Sequence, residues 1–275
     1  MDEPITEEKK PWWPRASSSG YYWGCSMRAA YDRARHEGVV DLEVPDTAKP
    51  NAALGTVIHF ILQDGMRAKF PGPAKDYAPT AEEYEAAASL FGGDRARMIQ
   101  SATASARLAL AHVPTLPAGV HWLAEPEVKA ENCPKGHIDL ISSDGLIICD
   151  LKTTRLKPSR IKRAALIQLA SYCLATGARQ VRAIYVDSLT AAWCVPIDVD
   201  FATEEEPAFV LELLPKLVQY WTGDTLYDTA YPQMLGDACG DDFCPYTGVC
   251  RDKYLKKADS QFNKPFTAAS GKAEL

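Results

Sequence analysis

The segment Leu146–Lys152 reads LIICDLK, an apolar run that ends abruptly in an acid, a leucine and a base. A short continuous run of this kind fits a strand buried on both faces. Charge at its end is costly unless it finds partners. Side chains alternate along a strand, so Asp150 and Lys152 share one sheet face. His137–Ser142 reads as a neighbouring strand, joined through a short turn at Ser143-Asp144-Gly145, with Asp139 ending or interrupting it. Paired strands lie about 4.8 Å apart, so Asp139 can reach the same face. Two converging carboxylates form a hard-oxygen site suited to Mg²⁺ or Mn²⁺. A lysine beside them can position or activate a water and steady a phosphorane-like transition state. The competing reading is an ordinary surface ion pair of little energetic weight.

The rest of the chain supplies helices around these strands. Residues 1–16 are polar and Pro-rich and read as a disordered segment. Ser17–Ser19 are candidate caps for a helix carrying Tyr21, Tyr22 and Cys25. Residues 38–50 read as loop. Leu54, Val57, Ile58, Ile61 and Leu62 form one stripe of a helix over 52–69, which Pro71-Gly72-Pro73 ends. Thr80-Ala-Glu-Glu83 is a capping box opening helical sequence to about 112, interrupted at Gly92-Gly93. Residues 119–130 read as strand. A helix runs from the 160s to about Thr176 and stops at Gly177. Arg182–Asp187 and Ala191–Ile197 read as further strands. Thr203-Glu-Glu-Glu206 is a second candidate capping box, for a helix to about Trp221. The tail 259–275 is polar and expected to be flexible. The order gives an α/β fold: a central mixed sheet flanked by helices, a helical N-terminal elaboration and a C-terminal Cys-bearing segment.

With 30 basic and 36 acidic residues the 275-residue chain carries a formal charge of −6, mildly against nucleic-acid binding. The charge is segregated, however. No acid occurs from Leu151 to Val186, a window holding Lys152, Arg155, Lys157, Arg160, Lys162, Arg163, Arg179 and Arg182. Because screening confines interactions to about 8–10 Å, a local basic face can still attract phosphates. The plainer reading is a solvated basic surface. No run approaches about 18 apolar residues and no secretory signal opens the chain, so no membrane partner and a cytoplasmic location are expected.

Cysteines are the remaining signal. Cys149, Cys173 and Cys194 sit in apolar stretches and read as small buried hydrophobes, and Cys133 in a turn. Cys239-x4-Cys244-x5-Cys250, with distant Cys25, form a set able to hold Zn²⁺ or a [4Fe–4S] cluster and tie the chain ends together.

Gly136-x-x-Asp139, Asp150-Leu-Lys152 and Gln168-x-x-x-Tyr172, preceded by Gly55-x-x-x-His59, resemble the PD-(D/E)XK nuclease superfamily and its RecB-like branch. The flanking cysteines are similar to those of CRISPR-associated RecB-like exonucleases and AddB-type nuclease domains. That resemblance implies a nuclease domain over 17–258. It implies that His59, Asp139, Asp150 and the Leu151 carbonyl bind Mg²⁺ or Mn²⁺, that Lys152 is the catalytic lysine and that Gln168 and Tyr172 support it. Glu125 or Glu127 could join the site. Cys25, Cys239, Cys244 and Cys250 would bind an iron–sulfur cluster, with Zn²⁺ the alternative; the family's usual gap between the first two C-terminal cysteines is two residues, against four here. The implied function is a metal-dependent DNA nuclease, an exonuclease on ends or single strands, serving recombination, repair or DNA processing. Protein partners would come from recombination or CRISPR adaptation. The alternatives are a non-catalytic DNA-binding adaptor that keeps the fold and a redox iron–sulfur protein. No Walker loop is present, so the chain has no ATP motor of its own.

Overall fold

The computed structural model describes residues 11–39, 49–72 and 78–226. Five helices come first: α1 (Ala16–Gly24), α2 (Ser26–Glu37), α3 (Pro50–Arg67), α4 (Ala81–Ser89) and α5 (Arg95–Ala111). Short strands β1 (Trp122–Ala124), β2 (Glu127–Val128), β3 (Gly136–His137) and β4 (Leu140–Ser142) follow, then β5 (Ile147–Thr154). The chain continues through α6 (Arg163–Thr176), β6 (Gln180–Asp187), β7 (Cys194–Asp200) and α7 (Glu205–Thr222).

β1, β4, β5, β6 and β7 form one mixed sheet in that order, while β2 and β3 pair separately. Only β5 and β6 run parallel, and α6 makes the crossover between them. The sheet divides two apolar cores. Alternation sends Ile148 to the core built with α1, α2, α6 and α7, and Cys149 and Leu151 to the core built with α3, α4 and α5. β5 is therefore buried on both faces, as its apolar run requires.

Several local expectations differ from the structure. The first helix begins at Ala16 with Arg15 as its cap residue, because Ala16 N–H donates to Lys135 O (2.8 Å) and ties the preceding chain to β3. Ser17–Ser19 therefore lie inside the first turn, and Ser19 Oγ donates back to Arg15 O. Cys25, at φ −148°, breaks this helix from α2. The Thr80 capping box forms in full. The one expected at Thr203 does not: Glu204 takes the cap position, and its Oε1 accepts the Asp200 N–H at 2.7 Å. Residues 119–130 make two short strands rather than one, since Glu125 adopts φ 54° between them. Cys149 and Cys173 are fully buried and Cys133 nearly so; Cys133 Sγ donates to Ser171 O at 2.9 Å. Tyr22 is part of the core, edge-on to Trp221 at 5.5 Å. No helix among the described residues is long and apolar enough to cross a membrane.

Candidate active site

The β4–β5 ladder pairs Leu140 with Cys149 and Ile141 with Ile148, then stops. Beyond that point Leu151 N–H has no strand partner on this side, and Asp139 Oδ2 accepts it at 2.7 Å. Asp139 lies in the bend between β3 and β4, so its carboxylate closes the gap where the strands splay. N–H and C=O of one strand residue point to the same side, so the Leu151 carbonyl faces the same gap.

Asp150, 2% exposed, points to the α6 side of the sheet. Lys152 Nζ stands 2.8 Å from its Oδ2. Oδ2 is thus buried in direct contact with the ammonium. The same ammonium donates to Gln168 Oε1 (2.7 Å), and Gln168 Nε2 donates to Tyr172 OH (2.7 Å). These two α6 side chains, one turn apart, thus fix the rotamer of the lysine.

Burial raises the Asp150 carboxyl above its ordinary value, and the nearby Asp139 charge adds to the rise, against Lys152 and His59. For Lys152 burial works against the charge, yet Asp150 and Asp139 outweigh it and hold the ammonium on. A lysine so held is a donor and a positive charge, not a base. Burial and the same carboxylates push the Tyr172 phenol well above its ordinary value, so it stays protonated.

Gly55 brings α3 against β5: a Cβ there would lie 3.0 Å from Thr153 Oγ1. His59, one turn further along α3, is half-buried, and its charge acts on Asp150. Among the described residues, however, no three His, Cys, Asp or Glu side chains gather into a complete metal cage. Asp139 lies near enough for its charge to act on Asp150, and the Leu151 carbonyl faces the gap that Asp139 closes. The Asp150 carboxylate, buried close to a second acid, is suited to a hard cation. Mg²⁺ commonly takes one or two carboxylates and fills its shell with water and substrate phosphate, so this pair fits such an ion without a full protein cage.

Of the two acids on the preceding strands, Glu127 is exposed and Glu125 is 3% exposed. Glu125 Oε2 is paired with Arg67 Nη2 at 3.2 Å, and its N–H donates to Asp139 O at 3.0 Å. Glu125 thus braces Asp139 from behind. Arg67 escaped sequence reasoning; its one signal is being the basic residue of the last turn of α3. Arg67→Met is expected to destabilise the fold by about 3 kcal/mol, because it withdraws the cation from a buried carboxylate. Urea denaturation measures this, and a cost below about 0.5 kcal/mol contradicts it. Cys25 is buried between α1 and α2, whereas Cys239, Cys244 and Cys250 lie outside the described residues.

A family model of the PD-(D/E)XK nuclease superfamily matches residues 21–251, and the chain belongs to that superfamily. Its fold, a mixed sheet flanked by helices, is that of a PD-(D/E)XK core. Among solved structures it is similar to SSO0001, at 13% identity and TM-score 0.36, over 84% of this chain and 95% of that one. It is also similar to a phage-related exonuclease from Haemophilus somnus 129PT, at 11% identity and TM-score 0.33, over 80% of this chain and 97% of that one. No curated protein matches the sequence.

Proposed function

We propose that the chain is a divalent-metal-dependent deoxyribonuclease of the RecB-like branch, acting as an exonuclease on DNA ends or single strands. The observation that carries this reading is the Asp150–Lys152 pair near Asp139, in a chain that belongs to a nuclease superfamily. Asp139, Asp150 and the Leu151 carbonyl would hold Mg²⁺ or Mn²⁺, with His59 flanking them. The bound ion supplies a Lewis acid and an acidified water. Lys152, kept protonated and aimed by Gln168, donates to the phosphoryl oxygens as negative charge builds there. The loop after β5 carries exposed Arg155, Lys157 and Arg160, where the flanking phosphates of a bound strand can rest.

The four cysteines are proposed to hold a structural iron–sulfur cluster apart from hydrolysis. Their order around the nuclease core and the burial of Cys25 support this reading. Protein purified without oxygen should absorb near about 400 nm; zinc without iron in the metal content replaces the cluster with a zinc site.

The deciding assay compares end-labelled linear single strands, linear duplex and circular single strands, as DNA and as RNA, with Mn²⁺. Loss of linear DNA with circles intact is the expected result. Cut circles overturn exonuclease action, and cleaved RNA with intact DNA overturns the substrate. Wild type that binds all of these and cleaves none is the adaptor.

A further inference from the structure

A second cavity lies beside α1 and α2, outside the carboxylate site. Its volume is about 460 Å³, within the range of small-ligand sites and enough for one nucleotide. Trp12 and Tyr22 supply its aromatic wall, their ring centroids 6.0 Å apart. Arg15, Arg35 and Lys135 make its lining basic. Asp32, an acid on the wall, takes the Tyr22 hydroxyl at 2.6 Å.

This wall is built rather than incidental. Trp13 Nε1 donates to Cys133 O at 2.6 Å. Lys135 N–H donates to Pro14 O, and Ala16 N–H to Lys135 O, so the segment carrying Trp12 and Arg15 is pinned along Lys135. Trp12 packs on the edge of the core and is only half-buried, so part of it remains open to the cavity.

Gly136, next to Lys135, packs between the start of α1 and α6. A Cβ there would meet Ala16 Cβ at 3.0 Å on one side and Tyr172 Cε1 at 3.1 Å on the other. One glycine thus separates the segment bearing Arg15 from the Tyr172–Gln168–Lys152 chain of hydrogen bonds. An aromatic face among cations is the arrangement that holds single strands, bases stacking and phosphates pairing.

We propose that this cavity binds one nucleotide of single-stranded DNA, its base against Trp12 and its phosphates among Arg15, Arg35 and Lys135. The proposal rests on the nuclease reading above. Its test is the affinity of the full-length protein for labelled oligo(dT), followed by anisotropy in EDTA as KCl is varied. Trp12→Leu should weaken binding about tenfold and leave the salt dependence unchanged. The double variant Arg15→Gln/Arg35→Gln should flatten the slope of log affinity against log salt by about 0.7 for each phosphate that no longer meets a cation. Both arginines are exposed, so this variant decides the matter even if Trp12→Leu fails to fold. Wild-type affinity and slope in the arginine variant overturn the proposal. Should that variant bind like wild type while wild type cleaves DNA in Mn²⁺, the cavity is wrong and the hydrolytic reading stands. Should binding change as stated while wild type cleaves nothing, the hydrolytic reading fails and the cavity stands.

Discussion

Asp150→Asn is expected to lower cleavage by on the order of 10³-fold or more while leaving the protein at least as heat-stable as wild type without metal. The two effects share one cause. Asp150 is 2% exposed, and burial followed by the Asp139 charge raises its carboxyl above the ordinary value. A group raised on folding contributes stability that is complete below its unfolded value and lost as pH rises through its folded value. At neutral pH the ionised Asp150 therefore costs stability, and asparagine removes that cost with nearly the same shape. Removing the charge also removes the attraction for a divalent cation. Saturating Mn²⁺ at 100 times its dissociation constant should stabilise wild type by about 2.7 kcal/mol, a shift of several degrees in Tm. In Asp150→Asn that shift should vanish. Scanning calorimetry with and without Mn²⁺ reads all of this. A variant markedly less stable than wild type in EDTA, or one still shifted by Mn²⁺, contradicts the account of Asp150.

Gly20→Ala should lower Tm by about 5–10 °C and reduce the turnover rate with it. α1 crosses α6 at Gly20, where an added methyl would lie 2.5 Å from Ala164 Cα and 2.8 Å from its carbonyl oxygen. Both atoms are backbone, so no side-chain rotation relieves the clash and one helix must move. Overpacking of this kind costs about 1–3 kcal/mol, and each kcal/mol lowers Tm by about 2–4 °C in a chain of this size class. Gln168, which aims the lysine, lies one turn from Ala164 on α6, so the displacement reaches the reactive centre. Gly65→Ala is the matched control: its methyl meets only the end of the Leu110 side chain, which can rotate away. Alanine is also the better helix former there, so Gly65→Ala should be near neutral. Equal losses from both substitutions contradict the helix-crossing argument.

The strand β5 was legible because LIICDLK states much of its own environment: an apolar run that fits a doubly covered strand, then charges that need partners. Gln168 and Tyr172 were legible only through the family resemblance, since one-turn spacing on a helix is common; their bonds to the lysine and to each other are tertiary. Asp139 was placed correctly at an interrupted strand, but its bond to Leu151 N–H follows from where the β4 ladder ends, which no local pattern records. The left-handed break at Glu125 was hidden because a glutamate rarely adopts that conformation, and its pairing with Arg67 is set by tertiary contacts. Thr203 misled because the Asp200–Glu204 turn satisfies itself first and hands the cap to Glu204. The start of α1 likewise answers to β3 through Lys135, far away in sequence.

The central claim is that a protonated Lys152, locked between Asp150 and Gln168, acts on the phosphoryl group. Single-turnover cleavage of end-labelled single-stranded DNA by wild type and Lys152→Ala, in Mn²⁺ and in EDTA, tests it most directly. Cleavage only by wild type in Mn²⁺, with the alanine variant slower by about 10²–10³-fold at unchanged DNA affinity, is the predicted result. Equal rates for the two proteins, or cleavage that survives EDTA, would contradict it.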